Sequence, residues 1–305
     1  MGIGIDSRRV RANYHLAGIV PVTSKCKDEF NLLYSPEFLL LAPNFVAIEN
    51  AIITAAFAGC ETIWIICDYS YIKIIKYIVG EYVRDYYSYY IFGQELRDLN
   101  KKRENIIPIF YVPTHPKYKH SKDGITWNVL YCAEVISQII KKLSKWLIPN
   151  NYFVSFPNGV IPYTNFMFNS SRNKINKTNN TFVSYNNKTV RDGLYLPFTF
   201  SETERKGLKN KVKELTEEDV NFKIRPEYIW KKLKLENVFG FLEIKENTFV
   251  LDTPWYYNIA NWNEYCKMLY EQKDVIKRPV TDLAPKECII ERGRSIEEIR
   301  KAKKR

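Results

Sequence analysis

Two short apolar runs with a helical stretch between them constrain this chain more than any other feature of its 305 residues. The first run, residues 15–22, has no polar interruption, and the second, residues 61–67, contains the β-rich segment TIWIIC. Between them, residues 43–57 carry apolar side chains at helical spacing. A strand that is apolar on both faces is buried between two layers, so this pattern predicts a right-handed βαβ unit with parallel strands.

The loop at residues 23–36 follows the first of these strands. In open α/β sheets, ligands bind beyond the carboxyl ends of the strands, near the point where the strand order reverses. We therefore expect the ligand of this protein to contact this loop.

The rest of the first half continues the alternation of strands and helices. Residues 105–112 and 152–156 are predicted strands, and residues 71–90 and 125–146 are predicted helices. The order β-α-β-α-β-α-β predicts an α/β fold with a Rossmann-like mixed sheet and helices on both faces.

The second half begins with a polar, turn-rich insertion at residues 169–187. A hairpin is predicted there, with arms at 182–185 and 189–191 around an Asn-Asn turn. The other predicted elements are a strand at 193–200, helices at 202–219, 225–233 and 260–272, and a second hairpin formed by residues 238–244 and 248–251.

The net charge of +12 favours anionic partners, either nucleic acid or phosphorylated small molecules, although it also serves solubility alone. Part of the charge lies at the two ends, in Arg8, Arg9, Arg11, Arg292, Arg294, Arg300, Lys301, Lys303, Lys304 and Arg305. Basic ends of this kind contact phosphates without base specificity. We predict a single α/β domain over residues 1–275, followed by an extended basic tail over residues 276–305.

Several classes of protein are disfavoured. The six cysteines include no CxxC pair, which fits a reducing intracellular setting. No leader pattern opens the chain and no apolar run reaches the length of a membrane span, so the expected location is cytoplasmic, without a membrane partner. The GxGxxG, Walker, HExxH and GxSxG motifs are absent, and three isolated histidines give no zinc spacing.

Segments along nearly the whole chain resemble, in order, the sugar-1-phosphate nucleotidyltransferases, whose Rossmann-like sheet is shared with GT-A glycosyltransferases. Six features of that family are matched in this order: the opening strand, the Pro-Lys segment with its helix, the next strand, the GTA helix, the strand that ends in Gly-Asp, and the late D-x-GTP segment. In this chain they read AGIVPV (17–22), SPEFLLLAPNFVAIENAI (35–52), AGCETIWIIC (58–67), DGITWNVLYCAEV (123–135), YFVSFPNG (152–159) and LDTPWYYNIANWNEY (251–265). The resemblance implies a fold of the nucleotide-diphospho-sugar transferase type.

The same resemblance implies a site for a nucleoside triphosphate or nucleotide sugar with Mg²⁺ or Mn²⁺. The residues implied to bind the nucleotide and its phosphates are Thr23, Ser24, Lys25, Lys27, Asp123 and Trp127. Asp252 and Asn158 would hold the metal ion, and Trp255 and Tyr256 would stack on the sugar or the base.

Three positions depart from the family pattern. The family uses glycines so that backbone N–H groups approach the triphosphate, but the loop at 23–30 has none. Glu37 stands where the family has a lysine, and Asn158 stands where it has a metal-binding aspartate. Phosphoryl-type transfer depends on positioning and charge neutralisation, so these departures predict a low rate for the usual family reaction.

Other residues could compensate for these losses. The side chains of Lys25 and Lys27 could replace the missing backbone donors, and Asp68 or Asp123 could supply a second carboxylate. For Lys25 and Lys27 the alternative is an ordinary exposed loop, and for Asp252 it is the cap of a turn or helix.

Three functional hypotheses remain open at this point. The first is a divergent transferase that handles a sugar nucleotide, and the second is a non-catalytic descendant of the fold that binds nucleic acid or assembles into a virus particle. The third is a glycosyltransferase that modifies nucleic-acid bases. The HLAGI and AGCETIW segments also resemble uncharacterised proteins of marine tailed phages, which would place the chain in a host cytoplasm or a virion. One fold hosts many functions, so fold alone does not choose among them.

Overall fold

The computed structural model describes residues 15–22, 35–84, 106–114, 124–143, 148–166, 169–178, 180–217, 233–244 and 247–277. The predicted site residues Thr23, Ser24, Lys25, Lys27 and Asp123 lie outside these ranges. So do nearly all of the predicted helix at 225–233 and the tail beyond Lys277.

The first half of the chain contains the predicted alternation of strands and helices. Its elements are β1 (Leu16–Pro21), β2 (Leu40–Ala42), β3 (Phe45–Val46), α1 (Ala47–Ala58), β4 (Thr62–Cys67), α2 (Tyr69–Val79), β5 (Tyr82–Arg84), β6 (Ile106–Pro113), α3 (Ile125–Leu143) and β7 (Asn151–Val154). The opening βαβ prediction is confirmed, because β1 and β4 pair in parallel with Ala17 opposite Thr62.

The second half adds shorter strands and, within the described residues, four further α-helices. Its elements are β8 (Gly159–Val160), α4 (Asn169–Lys177), β9 (Thr181–Ser184), β10 (Phe198–Ser201), α5 (Glu202–Glu217), α6 (Leu235–Phe239), β11 (Phe249–Asp252), β12 (Tyr257–Asn258) and α7 (Trp262–Glu271). Short 3₁₀ turns lie at Pro36–Phe38, Tyr163–Phe166 and Val190–Asp192.

One mixed sheet of eight strands, in the order β11-β9-β10-β7-β1-β4-β6-β5, forms the centre of the described structure. Strands β7, β1, β4 and β6 are mutually parallel, β10 is antiparallel to β7, and β11 is parallel to β9. The carboxyl ends of β1, β4, β6, β7, β9 and β11 therefore lie along the same edge of the sheet.

Helices cover both faces of this sheet, as the apolar runs predicted. In β1, Leu16 and Val20 join a core cluster with α1, α2, α4 and α7, whereas Ala17 and Ile19 join a second cluster with α3, α5 and α6. Successive strand residues point to opposite faces, so a run with two covered faces must be apolar throughout. The predicted α/β fold class is confirmed.

The strand order reverses between β1 and β7. Along the chain, β4 and β6 are added on one side of β1, and α3 then carries the chain back so that β7 pairs with the other side. This is the switch point at which open α/β sheets bind ligands, and it lies between the carboxyl ends of β1 and β7.

The predicted helix at residues 71–90 is wrong in extent. Helix α2 ends at Val79, Gly80 follows with φ 88° and ψ −163°, and β5 then pairs antiparallel with β6. Residues 85–90 lie outside the described residues.

The prediction for the polar insertion at residues 169–187 is confirmed in one part and wrong in two. Residues predicted as turn-rich form α4, although the two-residue turn is confirmed, with φ of 50° at Asn186 and 61° at Asn187 and a bridge between Tyr185 and Lys188. The second predicted arm is a 3₁₀ turn at Val190–Asp192, and β9 pairs instead with β10 and β11.

The second predicted hairpin is also wrong. Its predicted first arm at 238–244 begins with the last two residues of α6 and forms no strand, and β11 pairs in parallel with β9. The predicted helices at 202–219 and 260–272 correspond to α5 and α7. In the described part of the chain, no helix is both long enough and apolar enough to cross a membrane.

Candidate functional site

The residues that follow β7 form the first part of the candidate site. The Ser155 N–H donates to the Ile19 carbonyl at 3.0 Å, which carries the pairing of β7 with β1 to the edge of the sheet. The chain then turns through Pro157 and Asn158 into β8. This turn lies at the switch point of the sheet.

Asn158 is buried in this turn, with 2% of its surface exposed. Its backbone carbonyl accepts the Ile259 N–H at 3.0 Å, which extends the β8–β12 pairing. Its side-chain oxygen Oδ1 is buried and has no hydrogen-bond partner within the described residues. A buried amide oxygen without a donor is costly, so this atom is available to a ligand.

Gly159, the first residue of β8, approaches the backbone of Tyr195, which precedes β10. A Cβ at this residue would overlap the backbone carbonyl oxygen of Tyr195. The ring of Tyr195 in turn meets Phe156 edge to face, with centroids 5.8 Å apart. Glycine is required here because two backbone segments approach closely.

Asp252, at the end of β11, is exposed at the same edge of the sheet. The Ser184 hydroxyl donates to its Oδ1 at 3.0 Å, and the Thr253 N–H donates to the Ser184 carbonyl at 2.8 Å. The side chain of Asp252 makes no ion pair within the described residues, so its negative charge is not compensated there.

The segment after Asp252 carries the two aromatic residues predicted to stack. Tyr256 accepts a hydrogen bond from the Tyr195 N–H at 3.2 Å, and its ring lies 6.0 Å from that of Tyr185. Burial raises the pKa of the Tyr256 hydroxyl, which therefore stays protonated at neutral pH. Trp255 is half-buried, and its ring lies 5.8 Å from that of Tyr257. Asp252, Trp255 and Tyr256 thus lie on one short segment, although within the described residues Asp252 makes no hydrogen bond to either aromatic side chain.

The pairing of β8 with β12 connects this segment to the turn after β7. Gly159 lies opposite Asn258, and Val160 lies opposite Tyr257. No hydrogen bond joins the side chains of Asn158 and Asp252, so the two predicted metal ligands are on connected segments but do not contact each other.

The donor set fits a divalent cation only when it arrives with phosphate groups. Mg²⁺ in nucleotide sites is usually held by one or two carboxylates together with phosphate oxygens. Asp252 supplies one exposed carboxylate, and Asn158 supplies an amide oxygen that has no donor. Within the described ranges, no group of three or more His, Cys, Asp and Glu side chains is arranged to hold a metal ion alone.

The remaining predicted site residues are placed as follows. Trp127 lies in the first turn of α3 and packs, half-buried, against the core cluster beneath that helix. Asp68 caps α2, because its Oδ1 accepts hydrogen bonds from the N–H and the hydroxyl of Ser70 at 3.1 Å. Glu37 is fully buried in the 3₁₀ turn Pro36–Phe38.

Sequence reasoning missed three residues of this site, namely Ser184, Tyr185 and Tyr195. Each contacts Asp252 or Tyr256, from which it is distant in the sequence. No spacing in the sequence indicates such contacts, because they depend on the register of β9 with β11 and on the approach of Tyr195 to Tyr256.

No protein-family model matches the chain, and no curated protein matches it in sequence. Among solved structures, it is similar to a proposed glucose-1-phosphate thymidylyltransferase from Bacillus anthracis in complex with a sucrose. The TM-score is 0.51 at 10% sequence identity, and the match covers 86% of this chain and 97% of that chain. It is also similar to the UTP-bound UGPase from Acinetobacter baumannii, with a TM-score of 0.51 at 12% identity over 86% of this chain and 95% of that chain.

At these identities the likeness shows the fold. The chain has the Rossmann-like α/β fold of sugar-nucleotide nucleotidyltransferases, over most of its own length and nearly the full length of both similar proteins.

Proposed function

We propose that this protein is a divergent transferase that handles a sugar nucleotide, with a nucleoside triphosphate or an NDP-sugar bound at the carboxyl edge of the sheet together with Mg²⁺ or Mn²⁺. The observation that carries the proposal is the exposed, uncompensated carboxylate of Asp252, placed at this edge by β11 and followed directly by Trp255 and Tyr256. The fold and the UTP bound to one of the similar proteins support the nucleotide class.

Each residue of the site has a separate part in this proposal. Thr23, Ser24, Lys25 and Lys27 would bind the phosphates from the loop that follows β1. Asp252 would hold the cation, with the free amide oxygen of Asn158 as a further donor. When bound, the cation would neutralise phosphate charge, which is the main electrostatic requirement of this chemistry.

The aromatic segment would bind the base or the sugar. The hydroxyl of Tyr256 already accepts a hydrogen bond from Tyr195, so its ring is held in place. Trp255 would present its indole face and N–H group to a ligand. Asp123 and Trp127, near the start of α3, would contact the nucleotide from the opposite side of the switch point.

A thermal-shift screen of the whole protein tests the proposal. The ligands are the nucleoside triphosphates and common NDP-sugars, each with and without Mg²⁺ or Mn²⁺. A ligand at about one hundred times its Kd should add about 2.7 kcal/mol of stability, which is a readable rise in Tm. We expect a rise that depends on the metal ion.

Substitution of Asp252 by Ala should abolish the metal-dependent part of that rise. The matched control is Asp274→Ala, which removes another exposed aspartate from the turn after α7 and should leave the rise unchanged. Metal-independent stabilisation in the wild type, or an equal response of both variants, would contradict the proposal.

A second candidate function is favoured by one observation, the neutral amide of Asn158 at the position where the resembled family has an acidic metal ligand. In this alternative the chain is a non-catalytic descendant of the fold that binds nucleic acid or takes part in virion assembly. A third candidate, a glycosyltransferase that modifies nucleic-acid bases, would need both a sugar-nucleotide site and a basic surface for nucleic acid. A flat thermal-shift screen, followed by salt-dependent binding of DNA or RNA, would favour the alternative.

A further inference from the structure

The pairing of β9 with β11 places a serine beside the candidate cation ligand. The two strands are parallel, and their last registered pair is Ser184 with Asp252. Two residues earlier, Phe182 lies opposite Val250, and the two-residue period puts these four side chains on one face of the sheet. The register itself therefore brings the Ser184 hydroxyl to the Asp252 carboxylate.

The contact is well defined on the serine side. Ser184 has 6% of its surface exposed, and its Oγ lies 3.0 Å from Oδ1 of Asp252, at the usual length of a hydroxyl–carboxylate hydrogen bond. A buried hydroxyl on a strand has few rotamers, so its donor direction is fixed by its surroundings.

The backbone next to Asp252 is fixed as well. Thr253 donates its N–H to the Ser184 carbonyl at 2.8 Å and its hydroxyl to the Trp255 carbonyl at 3.1 Å. Because these two hydrogen bonds of Thr253 hold the backbone, the Asp252 carboxylate can move only by rotation about its own side-chain bonds. The Ser184 hydroxyl is the group that limits this rotation.

Within the described residues, Ser184 makes the one side-chain hydrogen bond to Asp252, and no Lys, Arg or His forms an ion pair with it. A hydroxyl donor orients a carboxylate without cancelling its charge, whereas an Arg or Lys would compete with a cation. The arrangement engages Oδ1 and leaves Oδ2 to a ligand.

We propose that Ser184 is a positioning residue, whose hydroxyl holds Asp252 in the rotamer that binds a metal–nucleotide complex through Oδ2. The inference rests on the proposed function, because it needs a cation at Asp252. It adds a residue that acts through Asp252 and does not touch the nucleotide itself.

The test compares four proteins: the wild type, Ser184→Ala, Ser184→Thr and Ser137→Ala. Ser137→Ala is the matched control, because the buried Ser137 hydroxyl donates to the Glu202 carboxylate at 3.2 Å, far from the carboxyl edge. Each protein is titrated calorimetrically with ATP, CTP, GTP, UTP and dTTP, with Mg²⁺ and with EDTA.

We expect Ser184→Ala to raise the Kd of the best Mg²⁺–nucleotide complex about five- to tenfold, which is within the usual net effect of one hydrogen bond. Ser184→Thr keeps the hydroxyl and should stay within about twofold of the wild type, as should Ser137→Ala. Affinity in EDTA should be the same for all four proteins. A purely structural role for Ser184 would change affinity with and without the metal ion alike.

The outcomes separate this proposal from the proposed function. Wild-type affinity for Ser184→Ala, or equal weakening in EDTA, would overturn the positioning role while Asp252→Ala still abolished metal-dependent binding. Absence of metal-dependent binding in the wild type would overturn both. If Ser184→Ala does not fold, Ser184→Cys keeps the side-chain volume with a much weaker donor and should show the same metal-specific loss.

Discussion

Arg205 organises a cluster of charged residues at the edge of the sheet opposite the candidate site. The Arg205 side chain is nearly fully buried and binds Glu202 through two nitrogens, at 2.7 and 2.8 Å. It also pairs with Glu134, and the Tyr152 hydroxyl donates to Glu202 at 2.9 Å. A planar guanidinium with two carboxylate partners keeps its charge compensated away from water.

This cluster makes stability depend on pH. Burial alone would raise the pKa of Glu202, but hydrogen bonds from Arg205 and Tyr152 outweigh it and lower the pKa below 4.5. The folded state therefore binds fewer protons than the unfolded state just below pH 4.5. The contribution of Glu202 is complete above pH 4.5 and is lost as the pH falls through the lowered pKa.

We expect Glu202→Gln to lower the free energy of unfolding at pH 7 by about 1.5–3 kcal/mol, because Arg205 loses a charged acceptor. Its loss of stability between pH 5 and 3, roughly the range in which carboxylates titrate, should also be smaller than in the wild type. Urea unfolding at a series of pH values measures both effects. The control is Glu214→Gln, which removes an exposed pair with Lys211 and should cost less than about 0.5 kcal/mol. Parallel pH profiles for Glu202→Gln and the wild type would contradict the assignment.

The sequence predicts part of the candidate site and omits the rest for a physical reason. Asp252 could be singled out because its segment resembles the late D-x-GTP segment of the sugar-1-phosphate nucleotidyltransferases. Ser184 could not, because it lies 68 residues away and reaches Asp252 only through the β9–β11 register. Local spacing carries no information about that register.

At the scale of elements, the backbone conformation of Gly80 ends α2 within a longer stretch whose apolar spacing predicts a helix. Residues 71–90 are rich in tyrosine and isoleucine at helical spacing, yet the helix ends at Val79. Gly80 adopts φ 88° and ψ −163°, a conformation that essentially only glycine reaches. The chain then reverses into β5 at the edge of the sheet, where the same alternating residues suit a strand.

Gly80→Ala should therefore lower the free energy of unfolding by about 1–3 kcal/mol, the cost of forcing a side chain into this region. The control is Gly124→Ala, because a Cβ at that residue meets no atom within 4 Å. Denaturant unfolding of both variants is the measurement. Equal stabilities would mean that the turn after α2 relaxes without strain.

The second predicted hairpin fails because a strand does not need its sequence neighbour as a partner. Residues 248–251 have the composition of a strand and form β11. Their partner is β9, which lies on the other side of β10, α5 and α6 in the sequence. Adjacent strands often pair, but here Phe249 and Leu251 of β11 pack against the core cluster that contains Val183 of β9.

At the scale of the whole molecule, the two edges of the sheet differ in charge compensation. At the edge where the parallel strands begin, Arg205, Lys141 and Lys209 compensate Glu134 and Glu202. At the opposite edge, Asp252 has no cationic partner within the described residues. The layers and the first βαβ unit follow from apolar patterning, so they could be predicted, whereas this asymmetry arises only when distant elements assemble.

The alternative function, nucleic-acid binding, depends on the charge of the whole molecule and especially on its predicted basic tail. Residues 278–305 contain nine Arg and Lys residues and lie outside the described ranges. If the protein binds nucleic acid through its ends, removing this segment should weaken binding and flatten its salt dependence. The expected decrease in the slope of log K against log salt is about 0.7 per lost contact on a single strand and about 0.9 on B-DNA.

Fluorescence anisotropy with labelled single- and double-stranded DNA at 50–200 mM salt, roughly the range over which phosphate contacts weaken, measures this slope. Full-length protein with Glu297→Gln and Glu298→Gln is the control, since it raises the charge of the same segment and should strengthen binding. An unchanged slope after truncation would show that the segment makes no phosphate contacts. The metal-dependent nucleotide binding proposed for Asp252 should survive the truncation, because every residue proposed for that site precedes residue 278 in the chain.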